Sequence, residues 1–513
     1  MPIQQLLLAT GAGGESYWIK SLRFDYNANI DMRGNGTTGS VVSPDGTDDG
    51  NMYIVTGQQS QGYPNNKDGN HMIKFDKDGT VLAKQSYFYA MGDHAWHVSM
   101  DPQENLYVGM QSGRMIKFNS SFVEQVKLDI DKTSWNNSRP FIFEGDYIHM
   151  MGVDNGYDNS AHGRTYYRKM SKSTLAPQNF GSSSYDTKGI WKQGNTGPWL
   201  LKDSKFYMIQ PGVTVSNSSY HDVLCKFDYT SSSWNDSGYP FHMSNDLDWI
   251  RRLSKQDGTT GHSLSVHTCC LTVDDDGNVY TAGKNSQVGN SNPDYGSRNQ
   301  LSKLNSSGTT QWFMNIERSA DGDGIYNWGD SYSGGGGPVD IKVIGNYVYT
   351  LNEGKNNTQT NKSGFVKDIT IAKMNKSDGA YQSSYSIANE TRNFTWHTKA
   401  AASMYGALWT DTAVYFTLNG QFSTTNEYEG DRTFILKLPI DGGVNGTYTL
   451  DGQTIKISGN SLSQGTTSTS GKTWTSSGSN LGDSKNGRSN VSTSSVPSIT
   501  THSASYTNTQ LDL

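Results

Sequence analysis

Three histidines carry the side chains best suited to bind a metal ion, because three imidazoles can hold one divalent cation. His97 and His397 each follow a tryptophan, and His267 follows a valine. The chain contains seven repeat units, and each histidine lies just before the innermost strand predicted for its unit. The three units are the second, fifth and seventh. Since these units need not be close together, we favour packing of each imidazole at a strand start and keep the three histidines as metal candidates.

Clusters of Asp and Gly could bind calcium at residues 45–50, 274–277 and 321–324. None of them has the twelve-residue ligand spacing that ends in Glu. Asp and Gly are also the preferred residues of tight turns. We therefore predict turns at all three places, with a structural calcium ion as the alternative, and we expect no other cofactor.

Known catalytic patterns do not stand out in the chain. We find no nucleophile elbow, zinc-protease motif or paired carboxylates. The run Gly334–Gly337 lacks the lysine of a phosphate loop, and we read it as an entry to a strand. We expect a protein without enzymatic activity.

Composition points to short strands and excludes several partners. The 513 residues include 56 Gly, 29 Tyr and 12 Trp, which is typical of strands joined by many turns. A net charge of −6 gives no sequence-wide cationic surface, so we expect no nucleic-acid partner.

Cys225, Cys269 and Cys270 do not form an evenly paired framework. The first residues lack the basic start of a signal peptide, and we expect folding in a reducing cytosol without membrane insertion.

A two-part unit recurs seven times and indicates the architecture. Its first part is a strand with a tyrosine, and the tyrosines are Tyr53, Tyr107, Tyr147, Tyr207, Tyr280, Tyr349 and Tyr415. Its second part is a strand centred on a lysine, and the lysines are Lys74, Lys117, Lys169, Lys226, Lys303, Lys373 and Lys437. The two parts alternate without a miss. We expect all seven tyrosines to be in register and the lysines to face solvent.

Four short alternating strands per unit predict an all-β, seven-bladed β-propeller over residues 15–450. The fifth unit combines the strand Asn278–Thr281, a turn at 305–308 and Trp312. In this pattern it resembles bacterial β-propeller repeats of the SBBP and quinoprotein-like type. The resemblance implies the fold and does not specify an activity.

The ring must be closed, because an open ring would leave strand edges unpaired. Residues 14–22 match the outer strand at 308–316 of the fifth unit, so we predict that they complete the last blade. Residues 446–450 compete for the same place.

The elaborated face of the ring is the best candidate for binding. The predicted connections between second and third strands, at 57–71, 153–165, 209–222, 283–300 and 353–370, are long and rich in Asn, Gly, Ser and Tyr. They share one face, and such loops suit a carbohydrate or protein surface. The alternative is that they only cover blade edges.

The two ends of the chain differ from its centre. Residues 451–513 contain 16 Ser and 11 Thr, a composition that is typical of disorder in isolation. We interpret this C-terminal extension, and the N-terminal segment 1–14, as docking segments. Both ends resemble the ends of virion proteins from marine tailed phages, in the opening Met1–Ala9 and the closing Tyr506–Leu513.

This resemblance implies a structural component of a phage virion, in the tail or a surface appendage, assembled in the host cytoplasm. It would dock to other virion subunits through both termini in an oligomeric assembly and present its loops to a host glycan or protein. The alternative is a bacterial β-propeller binding protein or a quinoprotein-like enzyme.

Overall fold

The regular elements of the described chain are all β-strands. The computed structural model describes residues 16–24, 39–42, 51–58, 68–89, 95–110, 114–129, 141–154, 164–178, 188–191, 198–216, 219–228, 247–253, 264–287, 298–318, 337–355, 366–389, 394–397, 407–422, 432–460, 462–466, 472–473, 500–502 and 506–512.

The strands form seven blades. The chain enters through β1 (Trp18–Phe24). Blade one is β2 (Gly39–Val42), β3 (Met52–Gln58), β4 (Asp68–Phe75) and β5 (Val81–Tyr89). Blade two is β6 (Ala95–Met100), β7 (Leu106–Met110), β8 (Arg114–Phe118) and β9 (Glu124–Asp129). Blade three is β10 (Ile142–Glu144), β11 (Tyr147–Asp154), β12 (Arg164–Ser171) and β13 (Lys188–Trp191). Blade four is β14 (Trp199–Lys202), β15 (Lys205–Ser216), β16 (Ser219–Asp228) and β17 (Leu247–Leu253).

The later blades follow the same order. Blade five is β18 (Leu264–Val273), β19 (Val279–Gln287), β20 (Arg298–Leu304) and β21 (Thr310–Arg318). Blade six is β22 (Gly337–Ile344), β23 (Tyr347–Lys355), β24 (Val366–Asn375) and β25 (Tyr381–Asn389). Blade seven has a split inner strand, β26 (Phe394–His397) and β27 (Leu408–Trp409), followed by β28 (Ala413–Phe422) and β29 (Arg432–Pro439).

Within each blade, consecutive strands pair antiparallel. The predicted seven-bladed, all-β propeller is therefore confirmed. The sheets of blades six and seven are joined by a pairing of Val366 with Trp396. The hydrophobic clusters lie between neighbouring blades, as when Tyr53 and Val55 of blade one pack with Leu106 and Ile116 of blade two. This is the packing that alternating strands of a propeller require.

Strand β1 closes the ring as the fourth strand of blade seven. It pairs antiparallel with β29, with Trp18 opposite Lys437 and Leu22 opposite Thr433. The prediction that the N-terminal strand completes the last blade is confirmed. The competing segment is β30 (Gly446–Leu450), and it pairs with the strand that follows it instead.

The C-terminal segment adds outer strands to the blades. It contains β31 (Gln453–Asn460), β32 (Leu462–Thr466), β33 (Lys472–Thr473), β34 (Thr500–His502) and β35 (Tyr506–Asp512). These five strands pair with the outer strands of blades six, five, four, one and seven, in that order. The parts of 451–513 that the structure describes therefore belong to the sheets of the propeller.

The two faces of the ring differ in their connections. Several connections from the first strand to the second and from the third to the fourth are tight turns, for example at 101–105, 274–278 and 305–309. The connections 172–187 and 229–246 on the same side are longer. We call this side the tight-turn face. On the opposite, long-loop face, connections such as 59–67, 288–297 and 356–365 join the second strand to the third, and they lie outside the described residues. The loop predicted at 209–222 is largely strand, because β15 extends to Ser216 and β16 begins at Ser219.

Candidate functional site

The repeat tyrosine and lysine meet across the second and third strands of a blade and reach into the next blade. In blade five, Tyr280 lies opposite Lys303, and Lys303 lies opposite Trp312. The lysine ammonium is 5.5 Å from the centre of the tyrosine ring, a distance that suits a cation–π interaction. Lys303 Nζ and Trp312 Nε1 both donate to the carbonyl of Lys376 in blade six, at 3.1 and 3.3 Å. We call this arrangement the seam clamp.

The same clamp closes the ring between blades seven and one. Lys437 lies between Tyr415 and Trp18 in the register of the strands. Its ammonium is 5.3 Å from the tyrosine ring centre. Lys437 Nζ and Trp18 Nε1 donate to the carbonyl of Lys77 in blade one, at 3.4 and 3.1 Å. Strand β1 thus supplies a tryptophan that links the two ends of the ring.

Blade four holds blade five in the same way. Lys226 is 5.4 Å from the Tyr207 ring centre, and it shares the Ser306 carbonyl with Trp249. The tryptophan bond is 2.8 Å long. Residues 14–22 resemble the outer strand of blade five because Trp18 and Trp312 do the same thing: each donates a hydrogen bond to a carbonyl of the next blade.

Three other seams use the lysine without the tryptophan. Lys74 reaches Glu104 at 3.4 Å, Lys117 reaches the Lys172 carbonyl at 3.1 Å, and Lys373 reaches Asp441 at 2.8 Å. Glu104 lies in the 101–105 turn of blade two, Lys172 directly follows the third strand of blade three, and Asp441 follows the third strand of blade seven. The clamp therefore recurs on the tight-turn side of the ring.

The prediction that the repeat lysines face solvent is wrong. The side chains of Lys74, Lys226 and Lys373 are only 14–17% exposed, and Lys437 is 1% exposed. The physical reason is that each ammonium exchanges water for a tyrosine ring and an oxygen of the next blade. The repeat lysines are therefore seam residues.

Blade three departs from the predicted tyrosine register. The residue opposite Lys169 is His149, whereas Tyr147 lies opposite Ser171. Tyr147 still contacts the lysine, because the ammonium is 3.9 Å from its ring centre. The expectation that all seven tyrosines are in register is thus wrong at Tyr147, since a buried histidine takes the clamp position.

His149 is enclosed between blades three and four. Its Nδ1 is 2.7 Å from the Tyr167 hydroxyl, and its ring packs edge-on against Phe206 of blade four. Its Nε2 is 3.5 Å from a Glu144 oxygen. Burial lowers the pKa of His149 to about 3, and the charge of Lys169 contributes to the same shift. The imidazole is therefore neutral at physiological pH.

This histidine makes the stability of the ring depend on pH. The unfolded chain binds a proton on the imidazole below about pH 6.5, whereas the folded chain leaves it neutral down to a pKa of about 3. The free energy of unfolding should therefore fall as the pH decreases through this window, by up to about 1.4 kcal/mol per pH unit. His149→Gln should reduce that slope in denaturant titrations at pH 6, 5 and 4. Equal slopes in both proteins would contradict this role.

The acidic cluster at 274–277 forms the predicted turn. Gly277 N donates to the Asp274 carbonyl at 3.0 Å, and Tyr280 donates to the Asp274 side chain at 3.0 Å. The backbone and side-chain amides of Asn278 and the Lys376 ammonium also approach that carboxylate. Desolvation raises its pKa, but these bonds outweigh it and hold the pKa at about 2.

The same turn occurs in blade two without an acidic cluster. Asp101 accepts from Asn105 at 2.9 Å and from Tyr107 at 3.0 Å. The hydrogen bonds of Asp274 are therefore those of a turn that recurs in the propeller. Both oxygens of the Asp274 carboxylate accept hydrogen bonds from groups of the protein itself. The clusters at 45–50 and 321–324 lie outside the described residues. The turns predicted there, with calcium as the alternative, remain predictions.

The three candidate metal ligands lie in inner strands of three blades. His97 is in β6, His267 in β18 and His397 in β26, so they are within the strands and not just before them. Their side chains are outside the described residues, and the metal site stays a prediction. Among described residues, no group of three or more metal-binding side chains comes together.

A buried carboxylate links the inner strands of blades six and seven. Asp340 accepts from Trp409 Nε1 at 3.0 Å and from Ala407 N at 2.7 Å. Burial raises its pKa in spite of these bonds. No sequence pattern singled out Asp340 or His149, since isolated polar residues in apolar strands carry no spacing signal.

Replacing a clamp lysine tests the contribution of a seam. Lys303→Met keeps the length of the side chain but removes the charge, the cation–π interaction and the bond to the Lys376 carbonyl. We expect the free energy of unfolding to fall by about 1–2 kcal/mol. Lys77→Met changes an exposed side chain on the tight-turn face and should alter stability by less than about 0.5 kcal/mol. Equal effects in the two variants would contradict the clamp.

The chain is a seven-bladed β-propeller protein, an assignment that rests on the pairing of its own strands. No protein-family model and no curated protein matches it. Among solved structures it is similar to the C-terminal WD40 domain of Sif2, at 8% identity and a TM-score of 0.35, covering 79% of this chain and 97% of that one. It is also similar to the Dos1 propeller, at 8% identity and a TM-score of 0.39, covering 81% and 95%. The described part of the chain contains no helix that could span a membrane.

Proposed function

We propose that this propeller is a non-catalytic structural component of a phage virion, in the tail or a surface appendage. It docks to other virion subunits on its tight-turn face and presents its long-loop face to a glycan or protein of the host surface. The class of virion proteins comes from the resemblance of the two chain ends. We infer the orientation from the positions of β1 and β35 on the ring.

One observation carries the orientation. Trp18 and Asp512, near the two ends of the described chain, lie opposite each other in β1 and β35. Both strands contact the same tight turn of blade one, because Trp18 bonds the Lys77 carbonyl and Gln510 bonds the Asp78 carbonyl. The described ends of β1 and β35, at Trp18 and Asp512, therefore lie at the tight-turn face, and the connections 59–67, 288–297 and 356–365 lie on the opposite face.

The seam clamps support a scaffold role. Each clamp ties two blades through charge-assisted bonds and aromatic contacts, so the ring can hold its connections in fixed relative positions. A rigid ring that carries long connections on one face suits a binding surface.

A binding experiment with host cells tests the proposal. The connections 288–297 and 356–365 are each replaced by a short hairpin with the sequence of the one between β15 and β16. We expect the labelled chain to lose at least about tenfold in affinity for host cells. Lys77→Met, on the opposite face, is the matched control and should bind as the parent does. Unchanged binding after both replacements would overturn the proposal, and stoichiometric uptake of a redox cofactor or metal would favour the quinoprotein-like alternative.

A further inference from the structure

The C-terminal strands β31–β35 follow a regular route along the outside of the ring. They pair with blades six, five and four and then with blades one and seven, against the order in which the chain builds those blades. All five pairings are antiparallel. The described strands thus follow a single direction around the ring, with no pairing to blades three and two among the described residues, and we call β31–β35 the strap.

The blades have hydrophobic cores that do not depend on the strap. The clusters between blades one and two, two and three, four and five, and five and six contain no strap residue. Among the clusters formed by described residues, the one that spans blades six, seven and one is the only one with strap side chains, namely the buried Ile455 and Ile457 of β31. The strap is thus anchored by apolar side chains at its start, and its later strands add backbone pairing to existing sheet edges.

The end of the strap covers the strand that closes the ring. β35 pairs with β1 over seven residues, from Trp18 opposite Asp512 to Phe24 opposite Tyr506. Without β35, strand β1 would be an edge strand held by β29 alone. Gln510 Nε2 also donates to the Asp78 carbonyl of blade one at 3.2 Å, so the same strand crosses the closing seam.

We propose that the strap is a latch: a strand donor within the same chain that binds the outer edges of preformed blades and, through β35, holds β1 in the closing seam. Its Ser- and Thr-rich composition fits this role, because such a segment lacks the apolar residues to fold alone and orders by strand addition. Release of the ring then requires β35 to leave before β1.

Proline substitutions in β35 test the order of release. Successive amides of a strand point to opposite sides, so only one of Asn508→Pro and Thr509→Pro removes a hydrogen bond to β1. In that variant we expect the β1 amides to exchange with deuterium at least about tenfold faster. The other variant is the matched control, and the β9 amides of blade two should be unchanged in both. Unchanged exchange of β1 in both variants would overturn the latch.

A disulfide pair tests whether the strap belongs to the same molecule. Ser21 lies opposite Thr509 in the pairing of β1 with β35. Oxidised Ser21→Cys/Thr509→Cys should give a cross-link within one chain, seen as a faster-migrating monomer on non-reducing gels. Gln125→Cys/Thr509→Cys places one cysteine on β9 and should not cross-link. A cross-link between two chains would overturn the latch and show instead that copies exchange straps.

Discussion

Trp18→Ala is expected to lower the free energy of unfolding by about 3–5 kcal/mol, the usual cost of removing a fully buried large aromatic side chain. Trp18 is 0% exposed and packs edge-on against Phe75 and Tyr415, at ring-centre distances of 5.7 and 6.3 Å. It also donates to the Lys77 carbonyl. Its loss removes packing and a hydrogen bond at the seam between blades seven and one, where β1 and β35 meet.

The matched variant is Trp312→Ala, which removes the same clamp residue from blade five. Equilibrium denaturation and hydrogen exchange distinguish the effects of the two variants. Trp18→Ala should speed exchange in both β1 and β35, whereas Trp312→Ala should leave these strands protected. A loss of less than about 1 kcal/mol in Trp18→Ala would contradict the importance of the closing clamp.

Gly308→Ala is expected to destabilise the ring by more than Gly345→Ala, by about 1–3 kcal/mol. Both glycines have positive φ, +76° and +56°, so both substitutions strain the backbone. A Cβ at Gly308 would lie 2.7 Å from Trp249 of the preceding blade, whereas at Gly345 nothing lies within 4 Å. The difference between the variants therefore measures the close approach of the tryptophan to the next blade's turn.

Denaturant titrations of the two proteins supply this comparison. Equal losses would mean that backbone strain alone decides the effect and that Trp249 can move aside. The clamp would then be looser than the bond from Trp249 Nε1 to Ser306 indicates.

The sequence predicted the blades because each blade repeats side chains that must be buried. The tyrosines and lysines recur with the strands, so their order gave the number of blades. The match of the segment around Trp18 to the segment around Trp312 gave the place of β1. The seam role of the lysines was missed because spacing shows which strand a lysine is on but not which neighbouring blade its ammonium reaches. His149 was missed because Tyr147, two residues before it, fits the repeat pattern equally well.

The strap could not be predicted from residue types. Strand addition uses backbone hydrogen bonds, which any residue except proline provides, so β32–β35 need no apolar alternation. Only Ile455 and Ile457 carry a periodic signal, and two residues are too few to define a strand. The composition of 451–513 thus indicated disorder, whereas the described parts of this segment form strands at the outer edges of the blades.

Lysine labelling of purified virions, compared with the free chain, tests the proposed virion role. We expect the chain to be present in the particle and Lys77 and Lys376, in tight turns, to be protected there. Lys67 and Lys362, in the connections 59–67 and 356–365, should react as they do in the free chain. The proposed role is wrong if the chain is absent from the virions, or if Lys67 and Lys362 are protected while Lys77 and Lys376 react.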